Sequence, residues 1–129
     1  MKKLVLLLFF SAIVVAACKK DEPLPLPATN TELLAKTWKP DTLLINGVNL
    51  TAFFQSTRIT FSAGGTYILF DPAESDTGTW VFANNETQII LDPGDDQQVW
   101  QLIALNSQLL KIRTEDDGDV IDASWSPVQ

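Results

Sequence analysis

The spacing of chain breakers after residue 30 is what most constrains the fold. Asn46-Gly47, Gly64-Gly65, the stretch from Asp71 to Asp76, Asn84-Asn85, the stretch from Asp92 to Asp96, Asn106-Ser107 and the stretch from Glu115 to Asp119 interrupt short segments rich in Val, Ile, Thr, Phe and Trp. Asn-Gly and Asp-Gly pairs adopt the backbone of tight hairpin turns, and apolar segments of about six to ten residues between such turns read as successive antiparallel strands. The expected strands are Thr37 to Ile45, Thr57 to Ser62, Thr66 to Phe70, Thr79 to Ala83, Thr87 to Leu91, Gln97 to Ala104, Gln108 to Thr114 and Val120 to Ser126. Before them, Asn30 or Thr31 can cap one short helical turn, with Glu32 nearby. Phe53-Phe54 falls between the first two strands, in a helical turn or a wide loop.

Side chains alternate across a strand, so the two-residue period tells which face is apolar. Ile59 and Phe61, Tyr67 and Leu69, Trp80 and Phe82, Ile89 and Leu91, Trp100 and Leu102, Leu110 and Ile112, and Ile121, Ala123 and Trp125 form one consistent apolar set. Their neighbours Arg58, Thr60, Ser62, Thr79, Gln88, Gln101, Lys111 and Asp122 are polar. The pattern is all-β, an antiparallel sheet closed into a barrel or folded as a sandwich and wet on its outer face.

The first residues have a different character. Lys2 and Lys3 precede Leu4 to Ala17, a run with no charge and only Ser11 as a polar side chain. A bilayer-spanning helix needs about 20 apolar residues, so this run is short for a membrane span and right for the apolar region of a signal peptide. Residues 1–17 are read as that leader, 18–29 as a tether, and 30–129 as one domain. Pro23, Pro25 and Pro27 alternate with leucines in the tether, which favours an extended backbone of about 3.1 Å per residue.

Composition removes several function classes. The net charge of −7 becomes more negative once Lys2 and Lys3 leave with the leader, and nucleic-acid affinity rests on phosphate neutralisation by Lys and Arg, so no nucleic-acid partner is expected. The chain has no histidine, which removes Ser-His-Asp, Cys-His and histidine-metal chemistry. Its single cysteine, Cys18, can form no internal disulfide. Four tryptophans argue for a real core. No catalytic residue and no cofactor are expected. The acidic turns do raise a calcium hypothesis, with Asp116, Asp117 and Asp119 as the first ligands to consider, although neither turn has EF-hand spacing.

Val15-Ala16-Ala17-Cys18 resembles the lipobox of bacterial lipoproteins, with Val15 in place of the usual leucine. The resemblance implies a diacylglyceryl group on Cys18 Sγ and a further acyl chain such as palmitate on its amino group. Several chains together make a durable membrane anchor where one does not. Lys19-Lys20-Asp21-Glu22 is similar to the export signals of Bacteroidota surface lipoproteins, which implies an outer-membrane address facing outward.

The ordered set "LLAKTWKPDTLLING", "ITFSAGGTYILF", "GTWVF", "TQIILD" and "QVWQLIALNSQLLKIRT" resembles the lipocalin-like domain of Bacteroidota lipoproteins. That implies an up-and-down eight-stranded barrel with a short helical turn before the first strand. It also implies a structural pair, Trp38 under a basic residue of a late strand, Arg113 or Lys111. Lys36 stands where a lipocalin proper has glycine. A barrel of this class can hold a small apolar ligand, which would be lined by Phe61, Tyr67, Trp80, Trp100 and Trp125. Alternatively the same rings fill the barrel, and the protein binds another envelope protein through loops and exposed aromatics such as Phe53-Phe54. An enzyme using loop carboxylates is the weakest of the three.

Substituting Cys18 with Ala should shift the protein from the membrane fraction to the soluble fraction. Unchanged partitioning would overturn the lipoprotein reading.

Overall fold

The computed structural model describes residues 27–129. The leader, Cys18 and the tether as far as residue 26 lie outside the described residues. The described chain is all-β apart from two short turns of helix: α1 (Asn30–Leu34), β1 (Thr37–Ile45), β2 (Val48–Asn49), a 3-10 turn (Thr51–Phe54), β3 (Arg58–Phe61), β4 (Thr66–Asp71), β5 (Glu74–Ala83), β6 (Gln88–Leu91), β7 (Gln98–Leu105), β8 (Leu110–Asp116) and β9 (Asp119–Pro127). Every strand from β3 to β9 is antiparallel to the next, and β1 pairs with both β3 and β9. The sheet is therefore a closed, eight-stranded barrel, with β2 as an extra strand folded back on the end of β1.

Each expected strand is present, with differences that have local causes. The Asp71–Glu74 turn is tighter than its composition suggests, because Asp71 Oδ1 accepts from the Ala73 N–H at 3.0 Å. Pairing of β4 with β5 then starts at once, at Asp71 and Glu74, and β5 begins well before Thr79. The helix cap is Thr29 rather than Asn30 or Thr31. Its hydroxyl accepts from Glu32 N at 3.1 Å while Glu32 Oε1 accepts from Thr29 N at 3.2 Å, the reciprocal capping box. Phe53 and Phe54 lie in the 3-10 turn, where Phe54 packs against the core and Phe53 is 80% exposed.

Closure depends on β1. It runs beside β9 from the Trp38–Pro127 pair to the Ile45–Ile121 pair. A bulge between Pro40 and Thr42 lets Pro40 sit in the strand without the N–H that a regular ladder would need. Ser126 donates to Asp41 Oδ1 at 2.9 Å across the bulge. At the far end Asn46 holds both strands: its amide donates to Asp119 Oδ1 at 2.8 Å, and its side-chain oxygen accepts from Val120 N at 2.9 Å. Asn46 has φ 50°, a left-handed conformation that asparagine tolerates better than most residues.

The inward set expected from alternation supplies most of the core, with Leu69, Phe82, Leu102 and Ile121 only partly buried and Leu34, Trp38 and Leu43 joining it. Leu34 and Trp38 have no exposed surface, and Ile59, Phe61, Ile89, Leu110 and Ile112 are buried with them. Trp38 Nε1 donates to Leu34 O at 2.9 Å, which seats α1 across one end of the barrel. Tyr67 reaches over Gly78 and donates to Asp92 Oδ2 at 2.7 Å, while Asp92 Oδ1 accepts from Thr79 N at 3.2 Å. A Cβ at position 78 would overlap the Asp92 carboxylate and crowd the Tyr67 ring.

Two outcomes follow from that contact. Gly78→Ala should lose about 1–3 kcal/mol of stability, read as a lower denaturant midpoint, because the added methyl has no space. Burial first, then the hydrogen bond to Asp92 and the charges of Asp92 and Asp76, push the Tyr67 hydroxyl above the usual tyrosine value of about 10. The folded state thus keeps its proton to higher pH than the unfolded state. The stabilisation is whole below about pH 10 and falls away as pH rises toward the folded pKa. Tyr67 is the only tyrosine, so tyrosinate absorbance reads it alone. Titration of the folded protein at the ordinary value would refute the contact, and Tyr67→Phe should abolish the alkaline slope in stability.

Candidate functional site

The five residues expected to line a cavity come from five strands: Phe61 from β3, Tyr67 from β4, Trp80 from β5, Trp100 from β7 and Trp125 from β9. Each sits at an inward position of its strand, and closure brings them together in the barrel interior, all buried. Phe61 lies at the centre. Its ring is 5.7 Å from Trp80 and 6.2 Å from Trp100, both edge-on, and 6.4 Å from Tyr67. Trp100 stacks on Trp125 at 6.1 Å with 22° between the planes. Ala123 is the small inward residue next along β9, and its partner across the ladder is Ile112. Such a cluster is a continuous aromatic wall, and its rings fill much of the space they enclose.

The four indole N–H groups divide into two kinds. Trp38 donates to Leu34 O, and Trp80 donates to Ser62 O at 3.0 Å, so both tie their rings to backbone carbonyls outside the ladder. Trp100 Nε1 and Trp125 Nε1 are buried and have no protein acceptor among the described residues. A buried donor left unpaired costs about 1–3 kcal/mol. Burying a ring of this size removes ~150–250 Å², which at ~25 cal/mol per Å² contributes roughly 4–6 kcal/mol. Ring burial outweighs the unpaired donor, so the tryptophans stay inside. Phenylalanine would supply most of the same burial without the cost.

The structural pair differs from expectation. Arg113 projects from the outer face of β8 and forms an ion pair with Asp122 of β9, Nε to Oδ1 at 2.7 Å, which raises its pKa further. Lys111 is exposed on the same face. The cation over Trp38 is Lys36, with Nζ 5.5 Å from the ring centroid. Lys36 lies in the bend between α1 and β1, two residues before Trp38, and that nearness in the chain was the available signal. The Tyr67–Asp92 contact had no such signal, since its partners lie 25 positions apart.

The acidic turns do not assemble a metal centre. Among the described residues no group of three or more His, Cys, Asp or Glu side chains is placed to hold a metal ion. Asp117 and Gly118 form the left-handed pair of a two-residue hairpin turn, and Asp119 is engaged by Asn46. Two open grooves lie on the surface, and the first reaches both acidic turns through Asp96 and Asp116. One, of about 680 Å³, is bounded by Gln97, Gln98, Gln101, Arg113 and Glu115. The other, of about 440 Å³, is bounded by Leu44, Ile103, Lys111, Arg113 and Asp122. They share Arg113.

Comparison with known proteins accounts for this architecture. A crystal structure of a lipocalin-like protein from Bacteroides uniformis superposes with a TM-score of 0.51 at 15% identity, covering 74% of this chain and 98% of the other. At that identity the likeness is one of fold. No curated protein matches. The lipocalin-like domain family matches residues 34–112, from the end of α1 into β8, more than half of the chain. The chain belongs to the lipocalin-like domain family.

Proposed function

We propose that this protein is a lipid-anchored, non-catalytic binding module of the bacterial outer membrane, facing outward, whose barrel interior takes a small apolar ligand. The address comes from the sequence: the apolar leader, the small residues before Cys18, and the lysine-plus-acid stretch after it. The observation that carries the binding role is the continuous aromatic wall of Phe61, Tyr67, Trp80, Trp100 and Trp125. Ligand sites are commonly concave and mostly apolar with a few placed polar groups, and the interiors of small barrels provide such surfaces. Rings in mutual contact leave little room, so the ligand is small and enters by displacing side chains.

A second reading has its own support. A barrel filled by its own aromatics can recognise a partner only from outside, and the two grooves that meet at Arg113 provide a concave outer surface. The partner is then another envelope protein.

An apolar phenylnaphthylamine dye separates the two. Interior binding should give fluorescence that saturates at one dye per chain, with matching quenching of tryptophan emission. Dye fluorescence that never saturates would move the function to the outer face.

A further inference from the structure

We infer that the interior ligand carries an oxygen acceptor, carbonyl or carboxyl, and that this end is held inside the barrel by the indole N–H groups of Trp100 and Trp125. The inference rests on the reading of the interior as the binding surface and adds the chemistry of what binds there. Trp100 is 7% exposed and Trp125 is 5% exposed, and neither N–H finds a protein acceptor among the described residues. The contrast with Trp38 and Trp80 is informative, because both of those rings reach a backbone carbonyl. The side chain directly across the ladder from Trp100 is Thr114, whose hydroxyl donates to Val99 O at 2.8 Å and does not accept from the indole. One stacked pair of rings thus carries two buried donors without a protein acceptor among the described residues, in a core that is mostly apolar. A hydrocarbon would leave both unpaired, whereas an acceptor oxygen satisfies what the fold leaves open.

The thinnest pairing of the barrel lies one strand from this pair, along β1. Strand β1 joins β3 only at Thr37–Thr60 and Trp38–Ile59. From Lys39 to Thr42 its ladder partners lie on the β9 side alone. Pro40, in that one-sided stretch, stands directly opposite Trp125. The seam with the fewest ladder pairs therefore runs along the β3 side of β1, one strand removed from Trp125, with the 3-10 turn packed beside β1.

Acetophenone and α-methylstyrene differ in one group, a carbonyl in place of a methylene, and are otherwise nearly the same shape. Titrated into the isotope-labelled full chain in detergent micelles, acetophenone should bind about tenfold tighter than α-methylstyrene. It should also move the indole N–H resonances of Trp100 and Trp125 while leaving those of Trp38 and Trp80 in place. Trp100→Phe and Trp125→Phe assign the resonances, and each should erode the preference for the ketone. Equal affinity for the two probes would overturn the acceptor inference and leave apolar binding intact. If neither probe binds, the interior reading itself fails. Indole protons that exchange magnetisation with a long-lived water, unmoved by either probe, would show that water alone is the acceptor and overturn the inference.

Discussion

The barrel depends on the two-sided pairing of β1. Seven consecutive hairpin-linked strands can form an open antiparallel sheet by local contacts alone, but only β1 returns to β9 and removes the free edge. That long-range ladder, with Asn46 locking one end and Trp38 seated at the other, turns the apolar face of each strand into a shared interior. The bulge at Pro40–Thr42 belongs to the same solution. It bends β1 so that the strand can leave β3 after two residues and follow β9 to its start.

Short strands then decide what the interior holds. β3 and β6 have four residues each, so few inward positions exist, and large side chains must occupy them if no void is to remain. Tryptophan meets that demand, and with it comes a donor that needs an acceptor. The fold provides one where a ring reaches the end of the barrel: Leu34 O for Trp38, Ser62 O for Trp80. Trp100 and Trp125 sit where the surrounding backbone is already committed to the ladder. The same packing that fills the lumen therefore leaves two indole donors inside it without a protein acceptor among the described residues.

Much of this was legible in the chain. Strand β1 has the expected bounds, and the inward positions of Phe61, Trp80, Trp100 and Trp125 follow from their period of two. The capping box was also open to view as Thr-x-x-Glu from Thr29 to Glu32, one residue ahead of the cap first considered. Lys36 over Trp38 is a local relation of the same kind. By contrast, assigning Arg113 to Trp38 required knowing which face of β8 meets which face of β1. Arg113 points outward and finds Asp122 across the ladder, so its charge never reaches the ring.

The sequence by itself determined the run of eight barrel strands to within a few residues, the inward face of most of them and the acidic charge of the chain. Each of these follows from local backbone preference or from composition. Tertiary structure decided the pairing of β1 with β9, the reach of Tyr67 across Gly78 to Asp92, and which two of four indole donors go unpaired. Alternation says that a side chain points inward and says nothing about what it meets there. That depends on the stagger of strands far apart in the chain, and it exists only once the barrel has closed.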